Sequence, residues 1–118
     1  MSRDYRQWSE DILESCGKIL RFTARMSFDE FVEDEKTYDA VVRNLEIIGE
    51  AAKNVPEDIR VRCPGIEWRK IAGLRDVIAH EYFGIDNDIL WDIIQNKINA
   101  LQENVRRIME NGKVMDHE

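Results

Sequence analysis

The residues best suited to polar chemistry lie together in the stretch Arg75-Asp76-Val77-Ile78-Ala79-His80-Glu81-Tyr82-Phe83. His80 is one of two histidines in the chain, and the other, His117, stands near its end. Imidazole titrates near neutral pH and is the usual general acid or base. The guanidinium of Arg75 offers a rigid fork of donors for phosphate-like charge. Together the two suit phosphodiester chemistry: a base takes the proton of an RNA 2′-hydroxyl, the oxygen attacks phosphorus, and no metal is required. At about 100° per residue, Arg75 and His80 leave a regular helix about 140° apart, so they cannot share one face. Either the helix ends or unwinds before His80, or two chains assemble the site around a twofold axis.

Plainer readings stand beside this one. A histidine near a helix end is often a cap or a satisfied surface residue. Tyr82 beside Phe83 reads as an aromatic plug at the helix end, and Trp8, Trp68 and Trp91 read as core. Glu46 and Glu50, like-charged at i, i+4, are either a metal or acid/base pair or a polar stripe facing solvent or a partner. From Arg60 to Arg75 there are five basic residues (Arg60, Arg62, Arg69, Lys70, Arg75) against one acid, Glu67, which is either a solvated face or an RNA track.

The elements that must position these groups are helical throughout, with no long stretch of period two. Helix one is expected from about Asp4 to Arg25, with Tyr5, Trp8, Ile12, Cys16, Ile19 and Thr23 on one stripe. Ser27 and Glu30 have the spacing of a capping box opening a brief helix with Phe28, Phe31 and Val32. A long helix from Glu35 to Asn54 carries Tyr38, Val41, Val42, Leu45, Ile48 and Ala52 inward. Val55-Pro56 ends it, and Pro56 can open a short helix reaching Arg62. Cys63-Pro64-Gly65 is a break. The motif helix then runs from about Glu67 to Ala79, and Tyr82-Phe83-Gly84-Ile85 is a turn. Asp86 or Asp88 caps a last helix to Met109, before a polar, frayed end from Glu110 to Glu118. The expected fold class is all-α, an antiparallel helical bundle. One domain is expected over residues 1–110, with a polar tail over 111–118. Apolar arcs wider than one core requires, such as Ala40, Ile47 and Ala51, point to a homodimer.

With 118 residues the chain can bury roughly 65% of its unfolded surface without a metal or disulfide. The net charge of −7 argues against a general nucleic-acid binder, so any RNA contact is local. Five acids crowd the seven positions 29–35. Cys16 and Cys63 have no metal-site spacing and read as small buried thiols. With no leader-like apolar region and no run approaching the length of a membrane span, a soluble cytoplasmic protein is expected.

Arg75-x4-His80-x-Tyr82 resembles the motif of the HepT-like toxins, members of the HEPN superfamily of helical ribonucleases. Arg3-Asp4-Tyr5, Phe28-x-x-Phe31-x-x-Asp34, Arg43-Asn44-Leu45-Glu46-Ile47-Ile48-Gly49-Glu50-Ala51-Ala52 and Trp68-Arg69-x-Ile71-Ala72-Gly73-Leu74-Arg75 are similar to that family in the same order, over about residues 3–108. The resemblance implies a HEPN-type bundle dimerised so that two Arg-His motifs line one cleft, and metal-independent RNA cleavage without a cofactor. It implies His80 as general acid/base, Arg75 as the residue that orients the phosphate, and Asp76 as a supporting residue. It also implies an MNT-type nucleotidyltransferase antitoxin that transfers AMP from ATP to Tyr82. A bulky anion two residues from His80 would block the cleft and repel RNA. The alternative from another functional class is a non-enzymatic helical subunit that partners a minimal nucleotidyltransferase.

Overall fold

The structure is a computed structural model that describes the backbone of residues 2–80 and 86–116 and the side chains of residues 6–74 and 86–110. It is all-α, with no strand among the described residues. The helices are α1 (Ser2–Thr23), α2 (Phe28–Glu33), α3 (Glu35–Lys53), α4 (Glu57–Arg62), α5 (Trp68–His80), α6 (Asn87–Asp92) and α7 (Ile98–Asp116), with a π-helical turn, Ile93–Lys97, between the last two. No helix among the described residues is long and apolar enough to cross a membrane.

α3 is the central element, packed against α1 on one flank and α5 on the other, while α1 also packs on α7. Its apolar stripe explains this position: Val41, Leu45, Ile48, Ala51 and Ala52 are all buried, and so is Gly49. From α1 the same core receives Trp8, Ile12, Cys16 and Ile19, and from the C-terminal helices Leu90, Ile94, Ile98, Leu101, Val105 and Ile108. The helical period read in the sequence is therefore the period of burial.

The caps follow the local chemistry closely. The Ser27 hydroxyl accepts from the Glu30 amide at 3.1 Å, and the Glu30 carboxylate accepts from the Ser27 amide at 2.9 Å, completing the box. Asp34 caps α3 by accepting from the Thr37 amide at 3.1 Å. Pro56 sits one place earlier than expected, as the extended residue before α4 (φ −61°, ψ 150°). α1 stops at Thr23, two residues short of the expected end. Arg25 follows with φ 66°, the left-handed position that usually terminates a helix with glycine. Asp86 caps α6 by accepting from the amides of Asp88 and Ile89.

Two features stand out, the first a departure from the sequence expectation and the second in keeping with it. The final helix is interrupted by the π turn at Ile93–Lys97, and its backbone remains helical to Asp116, beyond Met109. Widening the helix at this turn keeps Ile94 buried while Leu90 and Ile98, on either side of it, also stay in the core. The second feature is aromatic. Phe31 is fully buried, stacked on Tyr38 at 5.2 Å and tilted against Trp91 at 5.4 Å. The Tyr38 hydroxyl donates to Asn87 Oδ1 at 2.6 Å, tying α3 to the start of α6.

Phe31→Ala should destabilise the protein by about 3–5 kcal/mol in urea unfolding, because α2 is too short to refill the void. A loss under about 1 kcal/mol would remove Phe31 from the core. Hydrogen bonds from the Ser27 amide to Glu30 and from the Thr37 amide to Asp34 hold both carboxyls below their ordinary values. Folded values below the unfolded ones mean that this stabilisation is complete above the unfolded values, near pH 4, and is lost as pH falls through the folded ones. Melting temperature should therefore drop as pH falls below about 4, and by less in a Glu30→Gln/Asp34→Asn double variant.

Candidate functional site

The candidate site rests on α5, which is fastened at its beginning. Trp68 is 5% exposed and meets the edge of Trp8 from α1, ring centroids 6.1 Å apart at 89°. Its indole Nε1 donates to the Cys63 carbonyl at 3.2 Å, closing the Cys63-Pro64-Gly65 break beneath the helix. The adjacent Ile66 is also buried. From this fixed start the backbone stays α-helical through His80. The helix therefore neither ends nor unwinds before His80, which removes one of the two geometries open to the sequence. Arg75 and His80 lie on one continuous helix at positions about 140° apart. Arg75 shares its register with Trp68 and Ala72. The side chains of Arg75, Asp76 and His80 lie outside the described residues, and Tyr82 lies outside them altogether.

Helical register divides the visible part of α5. Ile71 and Leu74 line a cavity of about 350 Å³ behind the helix, opposite Ile93, Ile98 and Leu101, with Lys70 and Lys97 at its rim. Arg69 is exposed. Gly73 occupies an open surface, where an added Cβ would meet nothing within 4 Å. Positions 69, 73, 76 and 80 fall within about 60° of one another on the helix.

The basic run separates into different roles. Arg60 is structural: its Nε donates to the Val55 carbonyl at 3.2 Å and its Nη2 to the Ala52 carbonyl at 2.8 Å, covering the carbonyl end of α3. Lys70 is paired with Glu67 at 2.8 Å. That hydrogen bond lowers the Glu67 carboxyl and raises the Lys70 amine. By sequence alone Arg60 belongs with the charges of a solvated face or an RNA track. The signal for its cap role lay in the short α4 turning back from the Pro56 break.

Glu46 and Glu50 line a cleft of about 690 Å³ between α1 and α3, with Arg43 and Asp11 on its walls and Trp8 and Ile47 deeper. Among the described residues no three potential metal ligands come together, and the pair lines an open cleft. Most of the Asn44–Ala52 block is core. Asn44 is itself buried, its Nδ2 donating to the Ala40 carbonyl at 2.7 Å. Burial pushes the Cys16 thiol up to about 12 and raises that of Cys63. Neither is a thiolate nucleophile near neutral pH.

The described geometry thus presents a rigid helix carrying an arginine and a histidine, with polar and basic groups beside it. A family model described as "Ribonuclease HepT-like" matches residues 12–108. A protein of Methanocaldococcus jannaschii, named as a candidate RNase, is 50% identical over 102 residues, 86% of this chain and 84% of its own. One from Thermococcus cleftensis, named as a probable ribonuclease HepT, is 43% identical over 102 residues, 86% of this chain and 93% of its own. A third, from Caldanaerobacter subterraneus and also named as a candidate RNase, is 40% identical over 108 residues, 92% of this chain and 96% of its own. No solved structure matches the chain significantly.

Because nothing stands over Gly73, Gly73→Ala should raise stability by about 0.5–1 kcal/mol through helix propensity alone. Chemical denaturation checks this, and a loss of stability would mean that another body packs on that face.

Proposed function

The chain belongs to the ribonuclease HepT-like family, and from that membership we propose that it is a metal-independent endoribonuclease acting as the toxin of a toxin–antitoxin pair. The observation that supports the reading is the unbroken helical course of α5 to His80, along which positions 75 and 80 keep a fixed spacing. Because the two positions diverge by about 140°, a cleft lined by both calls for a second copy of the chain. A homodimer with its twofold axis near His80 supplies two histidines and two arginines to one groove.

In that groove one His80 takes the proton of a ribose 2′-hydroxyl. The 2′-oxygen bonds to phosphorus as the bond from phosphorus to the 5′-oxygen breaks. The leaving oxygen receives a proton from an imidazolium, leaving a 2′,3′-cyclic phosphate and a 5′-hydroxyl. Arg75 holds the non-bridging oxygens and stabilises the charge that grows on them. Asp76 supports the motif, and no step calls for a cofactor. The partner is an MNT-type nucleotidyltransferase antitoxin. Transfer of AMP from ATP to the Tyr82 hydroxyl, with pyrophosphate as the leaving group, puts an anionic group two residues from His80 and closes the cleft to RNA. The setting is the cytoplasm, away from membranes.

Purified protein, checked by intact mass for added AMP, should cleave RNA in EDTA. His80→Ala and Arg75→Ala should each lower the rate by at least about 100-fold while keeping the helical spectrum. Equal cleavage by wild type and His80→Ala would remove His80 from the chemistry. No cleavage by unmodified wild type would leave a non-enzymatic subunit that partners a nucleotidyltransferase.

A further inference from the structure

The chain carries an overall negative charge of −7, so a polyanion can be held only where positive charge is local and uncommitted. The Arg60–Arg75 run is the one basic concentration that sequence reading singled out, and the structure disposes of much of it. Arg60 is spent on the carbonyls of Val55 and Ala52. Lys70 is ion-paired with Glu67 on the cavity side of α5, away from the face of position 80. Arg69 differs from both: it is exposed, and no hydrogen bond or ion pair engages it among the described residues. It also stands on the other side of α5 from that cavity, in register with position 80.

The ground between Arg69 and position 80 is equally specific. One turn after Arg69 comes Gly73, where even a Cβ would meet only open space. A glycine in a helix interior costs about 0.5–1 kcal/mol relative to alanine. The described residues give no steric reason for it, so the bare backbone suits a close approach from outside. From Arg69 to position 80 the helix rises about 16 Å, the reach of a few nucleotides along one strand.

We propose that Arg69 is a phosphate-binding residue that seats an unpaired RNA strand along the outer stripe of α5, across Gly73, toward the cleavage centre. This rests on the ribonuclease reading and adds to it a binding subsite and a strand path. The guanidinium grips a phosphate remote from the bond that breaks, so its contribution is to substrate binding. An unpaired strand fits because the path is one helix ridge with Arg69 as its exposed cation among the described residues, and a flexible backbone can follow it.

The test is cleavage of a fluorophore–quencher single-stranded RNA by the full chain, comparing wild type, Arg69→Ala and Arg69→Lys at several salt concentrations. Arg69→Ala should raise KM roughly tenfold with a much smaller change in kcat, as expected for one lost charged hydrogen-bonding group. Its dependence of log KM on log salt should be shallower by about 0.7, the contribution of one phosphate contact to a single strand. Arg69→Lys should restore that slope, which a merely structural role would not do. Unchanged KM and slope in Arg69→Ala, with wild type still cleaving, would overturn the subsite and leave the ribonuclease reading intact. A fall in kcat at constant KM would overturn it too. So would a shift of Arg69→Ala to a smaller species on size-exclusion chromatography, because the face would then belong to a second copy. Failure of wild type to cleave or bind the RNA would remove both readings.

Discussion

The contact on which the arrangement of the motif helix depends is the seat of Trp68. Its ring closes against Trp8, and its indole hydrogen satisfies the Cys63 carbonyl in the irregular segment just before the helix. A buried indole needs a partner for its N–H, and a chain break needs partners for its carbonyls. One side chain meets both needs and fixes where α5 begins. With the start fixed, 3.6 residues per turn set the direction of every later position, including 75 and 80. The motif's geometry is therefore decided more than one turn before the motif is reached.

α3 extends that constraint to the rest of the molecule. A helix flanked by α1 and α5 needs an apolar arc broad enough for both, and Val41, Leu45, Ile48, Gly49, Ala51 and Ala52 provide it. The carbonyl end of such a helix is hard to solvate, which is why Arg60 reaches back to Ala52 and Val55. The aromatic group of Phe31, Tyr38 and Trp91 anchors the other end of α3, with Asn87 Oδ1 accepting the tyrosine hydrogen bond. Arg60 thus serves the fold, and of the basic run a remainder, Arg69 among it, is left for a ligand.

That remainder reconciles an acidic chain with membership of a ribonuclease family. Net charge governs long-range attraction and is screened beyond about 8–10 Å at physiological salt. Recognition at contact depends on which guanidinium groups are still unpaired. Arg60 and Lys70 are committed within the fold, whereas Arg69 stays exposed on the stripe that leads to His80.

The sequence by itself determined the helices, their apolar stripes and most of their caps, because these depend on neighbours within about four residues. Ser27 with Glu30, Pro56 and Asp86 all act at or within one place of where their types and spacing put them. The Arg75–His80–Tyr82 motif was likewise legible as a pattern, and so was the divergence of its first two positions. Tertiary structure decided what the pattern could not carry. It extended α5 without a break to His80, drew Arg60 out of the basic surface, made Glu46 and Glu50 the wall of a polar cleft, and put a π turn into the last helix. These outcomes turn on contacts between residues remote in sequence, or on how one helix must widen to stay in register with a shared core. No short window of the chain contains that information.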